Sequence, residues 1–268
     1  MASGRSPGGN ESVICKSQKM FLSADDLKLS YGVDMEIGRT YVDRKVPEGN
    51  RYWQKRHLYI PPVTGYFFMP IFSDLAYRSG IPLSELLSER YLSLAERILD
   101  SAGRLECREI DWDTHVAECI GAASADIRNP GFLQDLRHYF SGQRALASIP
   151  LGTPYPSLNR ADTYLFSLCT IPFNDDVKAR VVEAWYALMT YFLILDDLVD
   201  IRDDFRDKEE NAVIEAGLTA QGAQIIERMI KESHDSMERI NPVMANRIDH
   251  KRQIIDVATI IQSFLNGK

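Results

Sequence analysis

Residues 175–207 read DDVKARVVEAWYALMTYFLILDDLVDIRDDFRD, and this stretch contains neither glycine nor proline. Either residue would weaken or break a helix, glycine through its backbone freedom and proline through its missing N–H. Asn174, immediately before the stretch, is a good helix N-cap. The pattern therefore predicts one helix from Asp175 to about Phe205, roughly thirty residues or about 45 Å long.

Helical patterns also dominate the rest of the chain. Apolar residues recur at helical intervals between glycine, proline and asparagine breakers, and only two short stretches, 39–46 and 57–60, resemble strands. We therefore predict an all-α, single-domain helical bundle over residues 13–268, preceded by a flexible leader at 1–12. The further helices are predicted at 64–77, 82–99 (closed by Gly103), 111–127, 132–140, 158–169, 219–240 and 242–265.

The bulk composition excludes several classes of function. A net charge of −7 argues against nucleic-acid binding, because phosphate backbones need clustered Lys and Arg. The longest strongly apolar run, 187–195, is too short to span a membrane, which takes about twenty residues. Four scattered cysteines form no metal or disulfide pattern, so free thiols in a cytoplasmic protein are expected, with Cys119 and Cys169 buried as packing residues.

The predicted helix carries a row of aspartates. On a helical wheel Asp196, Asp200, Asp203 and Asp207 fall within about one third of the circumference, with Asp197 and Asp204 beside them. Like charges stacked in this way repel each other unless a cation lies among them. Because the preceding turns are apolar nearly all round, the helix is expected to be buried and the aspartates to begin at the rim of the core. We therefore expect an inward-facing Mg²⁺ site rather than a solvated acidic face.

The residues Phe192, Asp196, Asp197 and Asp200 resemble the F-x-x-x-D-D-x-x-D signature of the class I isoprenoid synthases, the terpene cyclases and prenyl diphosphate synthases. The resemblance implies a helical bundle of the isoprenoid-synthase type around an apolar cavity, in which two or three Mg²⁺ ions bridge the aspartates and a substrate diphosphate. It assigns catalysis to Asp196, Asp197 and Asp200, and metal binding to these three and Asp204. Loss of pyrophosphate then leaves an allylic carbocation, for which the expected aromatic wall is Phe166, Trp185 and Phe192.

A diphosphate also needs hydrogen-bond donors, and arginine favours such contacts. Arg160, Arg206 and Lys208 are the candidates, by their position near the acidic row or in the loop-to-helix region. For the neighbouring Arg202, a surface ion pair with the nearby acids is the favoured interpretation.

The sequence departs from the family pattern in one respect. No second metal motif follows Asp200, and no paired aspartates occur near residues 60–100. Three functions therefore stay open: a terpene cyclase acting on a linear prenyl diphosphate, with farnesyl diphosphate as the default; a chain-elongating prenyl diphosphate synthase; or a non-catalytic helical partner subunit. The first is favoured, as a divergent enzyme in which Asp203, Asp204 or Glu210 supplies missing ligands, and a homodimer is left open.

Overall fold

The structure, a computed structural model, describes residues 23–45, 47–49 and 68–266. Every regular element in these ranges is helical, which confirms the predicted all-α fold. The α-helices are α1 (Ala24–Tyr31), α2 (Met35–Asp43), α3 (Phe68–Arg78), α4 (Leu83–Leu86), α5 (Glu89–Glu106), α6 (Trp112–Ser124), α7 (Pro130–Phe140), α8 (Asp175–Asp207), α9 (Ala212–Glu215), α10 (Ala220–Ile240), α11 (Pro242–Ile254) and α12 (Val257–Asn266). Short 3₁₀ helices cover Arg144–Leu146, Pro156–Asn159 and Asp162–Thr170.

Helix α8 is the central element of the bundle, as its sequence predicts. Asn174 caps it by accepting a hydrogen bond from the backbone N–H of Val177, and Lys208 ends it in the left-handed conformation. The helix packs against α3, α9, α10 and α12. Its first two thirds bury Trp185 and Leu188 in the hydrophobic core, so the acidic end emerges from the packed interior.

Two predicted helices are each divided by a capping residue. The segment predicted at 82–99 is split into α4 and α5, because the Ser88 side chain accepts from the N–H of Tyr91 and starts a new helix. Gly103 does not end α5, which continues to Glu106. Likewise the segment predicted at 242–265 is split into α11 and α12, where the Asp256 carboxylate accepts from the N–H of Thr259. Local capping thus overrides a continuous apolar pattern at both places.

The remaining differences concern short segments. The predicted strand at 39–46 is wrong, because residues 35–43 form α2, which is capped by Asp34 and buries Ile37 and Tyr41 one turn apart. The helix predicted at 158–169 is replaced by two tighter 3₁₀ helices, Pro156–Asn159 and Asp162–Thr170, with a turn at residues 160–161 between them. The predicted leader 1–12, the strand at 57–60, residues 64–67 of the helix predicted at 64–77, and Cys15 lie outside the described residues. Cys119 and Cys169 are buried, as predicted.

Buried carboxylates fasten distant parts of the bundle. Asp74 on α3 is fully buried and accepts hydrogen bonds from the Asp34 backbone N–H, from Arg78 and from the Asn241 side chain. Because Asn241 caps α11, this one carboxylate joins the N-terminal helices to α3 and to the C-terminal helices.

A second buried carboxylate, Asp135 on α7, holds the loop that leads towards the acidic end of α8. It accepts from the backbone N–H and hydroxyl of Ser148 and from the ammonium of Lys178 on α8. These bonds hold Ser148, which lies in the middle of the loop 141–155. Across the residues that the structure describes, no helix combines the length and apolarity needed to cross a membrane.

Candidate functional site

The aspartates of α8 do not share one environment. The side chains of Asp196 and Asp203 are each 66% exposed and that of Asp207 is 50% exposed, whereas that of Asp197 is only 1% exposed. Asp200 is also exposed, and Asp204 is half-buried. The expected inward orientation therefore holds for Asp197, and most of the row lies at the surface of the bundle.

Asp197 fastens the turn after α8. Its Oδ1 accepts from the Arg160 guanidinium at 3.0 Å, and its Oδ2 accepts from the backbone N–H of Ala212 at 2.7 Å. Asn211 adds a bond to the backbone carbonyl of Asp197 at 2.7 Å while its own side chain caps α9. Burial raises the pKa of Asp197, although the Arg160 charge opposes this change. With both oxygens engaged, Asp197 is a positioning residue in this structure.

Asp197→Ala is therefore expected to lower the free energy of unfolding by about 2–4 kcal/mol, because it leaves a backbone N–H and an arginine without their buried acceptor. Denaturant unfolding monitored by circular dichroism measures the change. Asp196→Ala is the matched control, since it removes an exposed acceptor from the same Arg160, and it should cost at most about 1 kcal/mol. Equal losses in the two variants would contradict the distinct role of Asp197.

Asp200 lies in a concentration of negative charge. Burial raises its pKa, and the charges of Asp196, Asp204 and Asp203 raise it further. Asp204 accepts a hydrogen bond from Asn211 at 2.8 Å, which holds its carboxylate against the turn. Repulsion of this kind favours a bound cation, and the donors are the hard oxygens that Mg²⁺ prefers.

The carboxylates at the end of α8 partly meet the requirements of a Mg²⁺ site. Within the described ranges, no three histidine, cysteine, aspartate or glutamate side chains converge closely enough to hold a metal by themselves. Mg²⁺, however, is commonly held by one or two carboxylates, with water and substrate phosphate completing its shell. Asp196 and Asp200, exposed and one turn apart, fit that requirement, and Asp204 lies one further turn along the helix.

Arg160 connects the aspartates to the interior. It follows the 3₁₀ helix Pro156–Asn159 and donates through Nη2 to Asp196 at 3.3 Å and to Asp197, while Nη1 donates to the carbonyl of Ser157. Ser157 is in turn held by Glu215 of α9, through its hydroxyl at 2.9 Å. The Arg160 guanidinium is thus held by the aspartates of α8 and by the backbone carbonyl of Ser157.

The other two predicted diphosphate donors are placed differently. Arg206 forms ion pairs with Asp203 and Asp207 and is 66% exposed, while Lys208 is an exposed residue at the helix end. The neighbouring Arg202 donates to the carbonyl of Ser263 and lies over the Phe264 ring, so it contacts α12 rather than the nearby acids. Arg160 is therefore the predicted donor that the structure brings to Asp196 and Asp197.

A cavity of about 410 Å³ lies beside Arg160, and we call it the aromatic cavity. Its volume is within the usual range for small-molecule sites. The walls combine aromatic rings, two guanidinium groups and one carboxylate: Trp112, Tyr139, Phe140, Arg144, Arg160 and Glu210. Sequence reasoning assigned cavity roles to none of the three rings, because they lie on α6 and α7, more than fifty residues before the aspartates, in patterns typical of ordinary helices.

The aromatic residues predicted from the sequence lie behind this wall. Phe166 is fully buried and stacks on Phe140 with ring centres 5.3 Å apart. Trp185 is fully buried against Phe72 and Tyr164. Phe192 packs edge-to-face on Tyr191. These three predicted residues support the packing, and they are not among the residues that line the aromatic cavity.

A buried carboxylate lies directly behind the cavity wall, and no motif in the sequence marks its position. Asp162 is fully buried; its Oδ1 accepts from the Trp185 indole at 2.8 Å, and its Oδ2 accepts from the hydroxyls of Tyr139 at 2.6 Å and Tyr186 at 2.9 Å. Burial raises the pKa of Asp162 to about 6, against the opposing effect of these three donors. The nearby Arg144 guanidinium lies 4.7 Å from the centre of the Tyr139 ring.

Comparison of the chain with protein-family models, with curated proteins and with solved structures finds no match. The features that bear on function are therefore those of the site itself. They are two exposed carboxylates one turn apart, an arginine fastened beside them, and an aromatic cavity that begins at that arginine.

Proposed function

We propose that this protein is a Mg²⁺-dependent terpene cyclase that ionises a linear prenyl diphosphate, with farnesyl diphosphate as the default substrate. One observation carries the proposal: the Arg160 side chain lines the aromatic cavity and also lies within hydrogen-bonding distance of Asp196 and Asp197. A ligand whose charged end meets Arg160 at the aspartates can therefore extend its apolar part between Trp112 and Phe140.

The diphosphate end of the proposed site combines carboxylates with guanidinium donors. Asp196 and Asp200 are the residues that fit Mg²⁺, with Asp204 as the next candidate ligand. Mg²⁺ bound there would neutralise the negative charge that develops on the departing pyrophosphate. Arg160 and Arg144 donate hydrogen bonds to the diphosphate oxygens, and Asp197 keeps Arg160 in place through its 3.0 Å bond.

The aromatic cavity is proposed to bind the carbocation that remains after pyrophosphate leaves. The faces of Trp112 and Phe140 are electron-rich and stabilise a nearby positive charge. The apolar part of a bound substrate covers these rings and so reduces the access of water to the cation. Both effects favour rearrangement and cyclisation over simple hydrolysis.

The proposal is tested by incubating the protein with Mg²⁺ and geranyl, farnesyl or geranylgeranyl diphosphate. Pyrophosphate release is followed, and the products are identified by gas chromatography with mass spectrometry. Cyclic hydrocarbon or alcohol products from a single prenyl diphosphate are expected. Turnover that requires isopentenyl diphosphate would instead establish a chain-elongating synthase.

A binding measurement distinguishes an inactive subunit from an enzyme. Mg²⁺ together with pyrophosphate should raise the melting temperature, because a ligand that binds only the folded state stabilises it. If the temperature does not change at millimolar concentrations and no prenyl diphosphate is consumed, the protein is a non-catalytic helical subunit and the proposal fails.

A further inference from the structure

Tyr139 and Tyr186 donate to the same oxygen of Asp162 but line different cavities. Tyr139 lines the aromatic cavity. Tyr186 lines a second cavity of about 730 Å³ between α8, α10 and the loop at 149–155. The Asp162 carboxylate is thus hydrogen-bonded to one tyrosine from the wall of each cavity. Of these two cavities, the aromatic cavity, lined by Tyr139, is the one that Arg160 also lines.

We propose that Tyr139 and Asp162 form the acid–base pair of the aromatic cavity, with Tyr139 as a catalytic residue that removes a proton from the substrate cation. This inference rests on the proposed cyclase function and adds the step that ends the reaction. General bases need to lie within hydrogen-bonding reach of the proton they remove. Tyr139 is the candidate because its side chain belongs to the cavity wall and its hydroxyl is joined to Asp162 at 2.6 Å.

The proton transfer balances without another reactant. A C–H bond next to the cationic carbon breaks, and its electron pair forms the new C=C bond. The released proton goes to the Tyr139 oxygen while the hydroxyl proton of Tyr139 moves to Asp162 Oδ2. A cation and a carboxylate thereby become a neutral hydrocarbon and a neutral carboxylic acid, and water that enters after product release takes the proton back through Tyr139.

The surroundings of Tyr139 favour a neutral hydroxyl that passes a proton on to Asp162 over a Tyr139 that is already ionised before the reaction. Burial and the Asp162 charge both raise the pKa of Tyr139, so its hydroxyl stays protonated until a proton arrives from the other side. Tyr186 is less suited, because its oxygen already accepts a hydrogen bond from the Gly152 N–H at 2.6 Å. Gly152 is required there, since its φ is +82° and an added Cβ would lie 2.7 Å from the Tyr139 ring.

The experiment compares Tyr139→Phe with Tyr186→Phe. Each variant removes one hydroxyl bonded to the same Asp162 oxygen, so Tyr186→Phe is the matched control for any structural effect. Pyrophosphate release, product composition and melting temperature are measured for both variants and for the wild type with the best prenyl diphosphate. Positioned bases contribute on the order of 100-fold or more, so the ratio of alcohol to hydrocarbon should rise at least about tenfold in Tyr139→Phe. In Tyr186→Phe this ratio should change by less than about twofold.

The possible outcomes separate the two proposals. If the wild type releases pyrophosphate and both folded variants give the wild-type products, the acid–base pair is overturned while the cyclase function stands. The same conclusion follows if both variants change the ratio of alcohol to hydrocarbon by the same factor. If the wild type releases no pyrophosphate from any of the three substrates, the cyclase function fails, and the acid–base step fails with it.

Discussion

Replacing Asp200 with alanine should reduce Mg²⁺-dependent pyrophosphate release by on the order of 1000-fold, because the proposed Mg²⁺ site would lose one of its two carboxylates and the charge stabilisation that it provides. Asp196→Ala should have an effect of similar size for the same reason. Both side chains are exposed, and Asp200 is repelled by Asp196, Asp203 and Asp204, so the variants should fold normally. The measurement is kcat/KM, at a series of Mg²⁺ concentrations, for the prenyl diphosphate that the wild type converts fastest.

Asp207→Ala is the matched control for these two variants. It removes the same charge from the same helix, at a position where the carboxylate is paired with Arg206. Its kcat/KM should stay within about threefold of the wild type, which is the size of a weak long-range charge effect. Full activity of Asp196→Ala and Asp200→Ala would end the metal-site proposal, whereas equal losses in all three variants would indicate a general effect of charge on α8.

Replacing Asp162 with alanine should produce the largest loss of stability, at least about 3 kcal/mol, because each buried donor left without a partner costs about 1–3 kcal/mol. Trp185, Tyr139 and Tyr186 would all lose their acceptor. Whole domains are stable by only about 5–15 kcal/mol, so the variant should unfold at a much lower denaturant concentration than the wild type. A loss below about 1 kcal/mol would show that the carboxylate does not hold these side chains together.

The same carboxylate predicts a dependence of stability on pH. The pKa of Asp162 is about 6 in the folded protein and near the ordinary 3.8 when unfolded. Below pH 3.8 the group is protonated in both states. As the pH rises from 3.8 to 6, the unfolded chain loses the proton first, so the folded state loses stability. Well above pH 6 the accumulated loss is constant at about 3 kcal/mol.

Asp162→Asn tests this dependence because amide and carboxyl groups have nearly the same shape. The difference in unfolding free energy between wild type and Asp162→Asn should shift by about 2 kcal/mol between pH 4 and pH 6, to the disadvantage of the wild type. Groups common to both proteins cancel in this difference. Parallel pH profiles would mean that Asp162 titrates at the same pH in both states. The buried carboxylate would then have no raised pKa.

Much of the secondary structure follows from local signals. Asn174 and the long stretch without glycine or proline define α8, and Asn129 with Pro130 defines the start of α7. These signals act within one turn, where a side chain meets the free N–H groups of its own helix. The failures at Ser88 and Asp256 have the same origin, because a capping side chain there outweighed a continuous apolar pattern.

The sequence predicted the charged residues of the candidate site but not the aromatic residues that line its cavity. Asp196, Asp197 and Asp200 stand out because they are neighbours on one helix and match a known spacing, and Arg160 was identified by its place in the loop-to-helix region. The walls of the cavity could not be found in this way. Trp112, Tyr139 and Phe140 lie on other helices, and nothing in their local sequence separates a ring that faces a cavity from one that faces the core.

Local sequence thus determined that this chain is helical, where its longest helix begins and ends, and which helix carries the acidic row. Helix packing determined which of those acids is buried: Asp197 is enclosed because Arg160 and Ala212 meet it there, while Asp196 one residue earlier points to solvent. Packing likewise brings Tyr139, Asp162 and Tyr186 to one hydrogen-bonded centre. Capping and periodicity are interactions within a few residues, whereas burial and cavity walls depend on side chains that are distant in sequence.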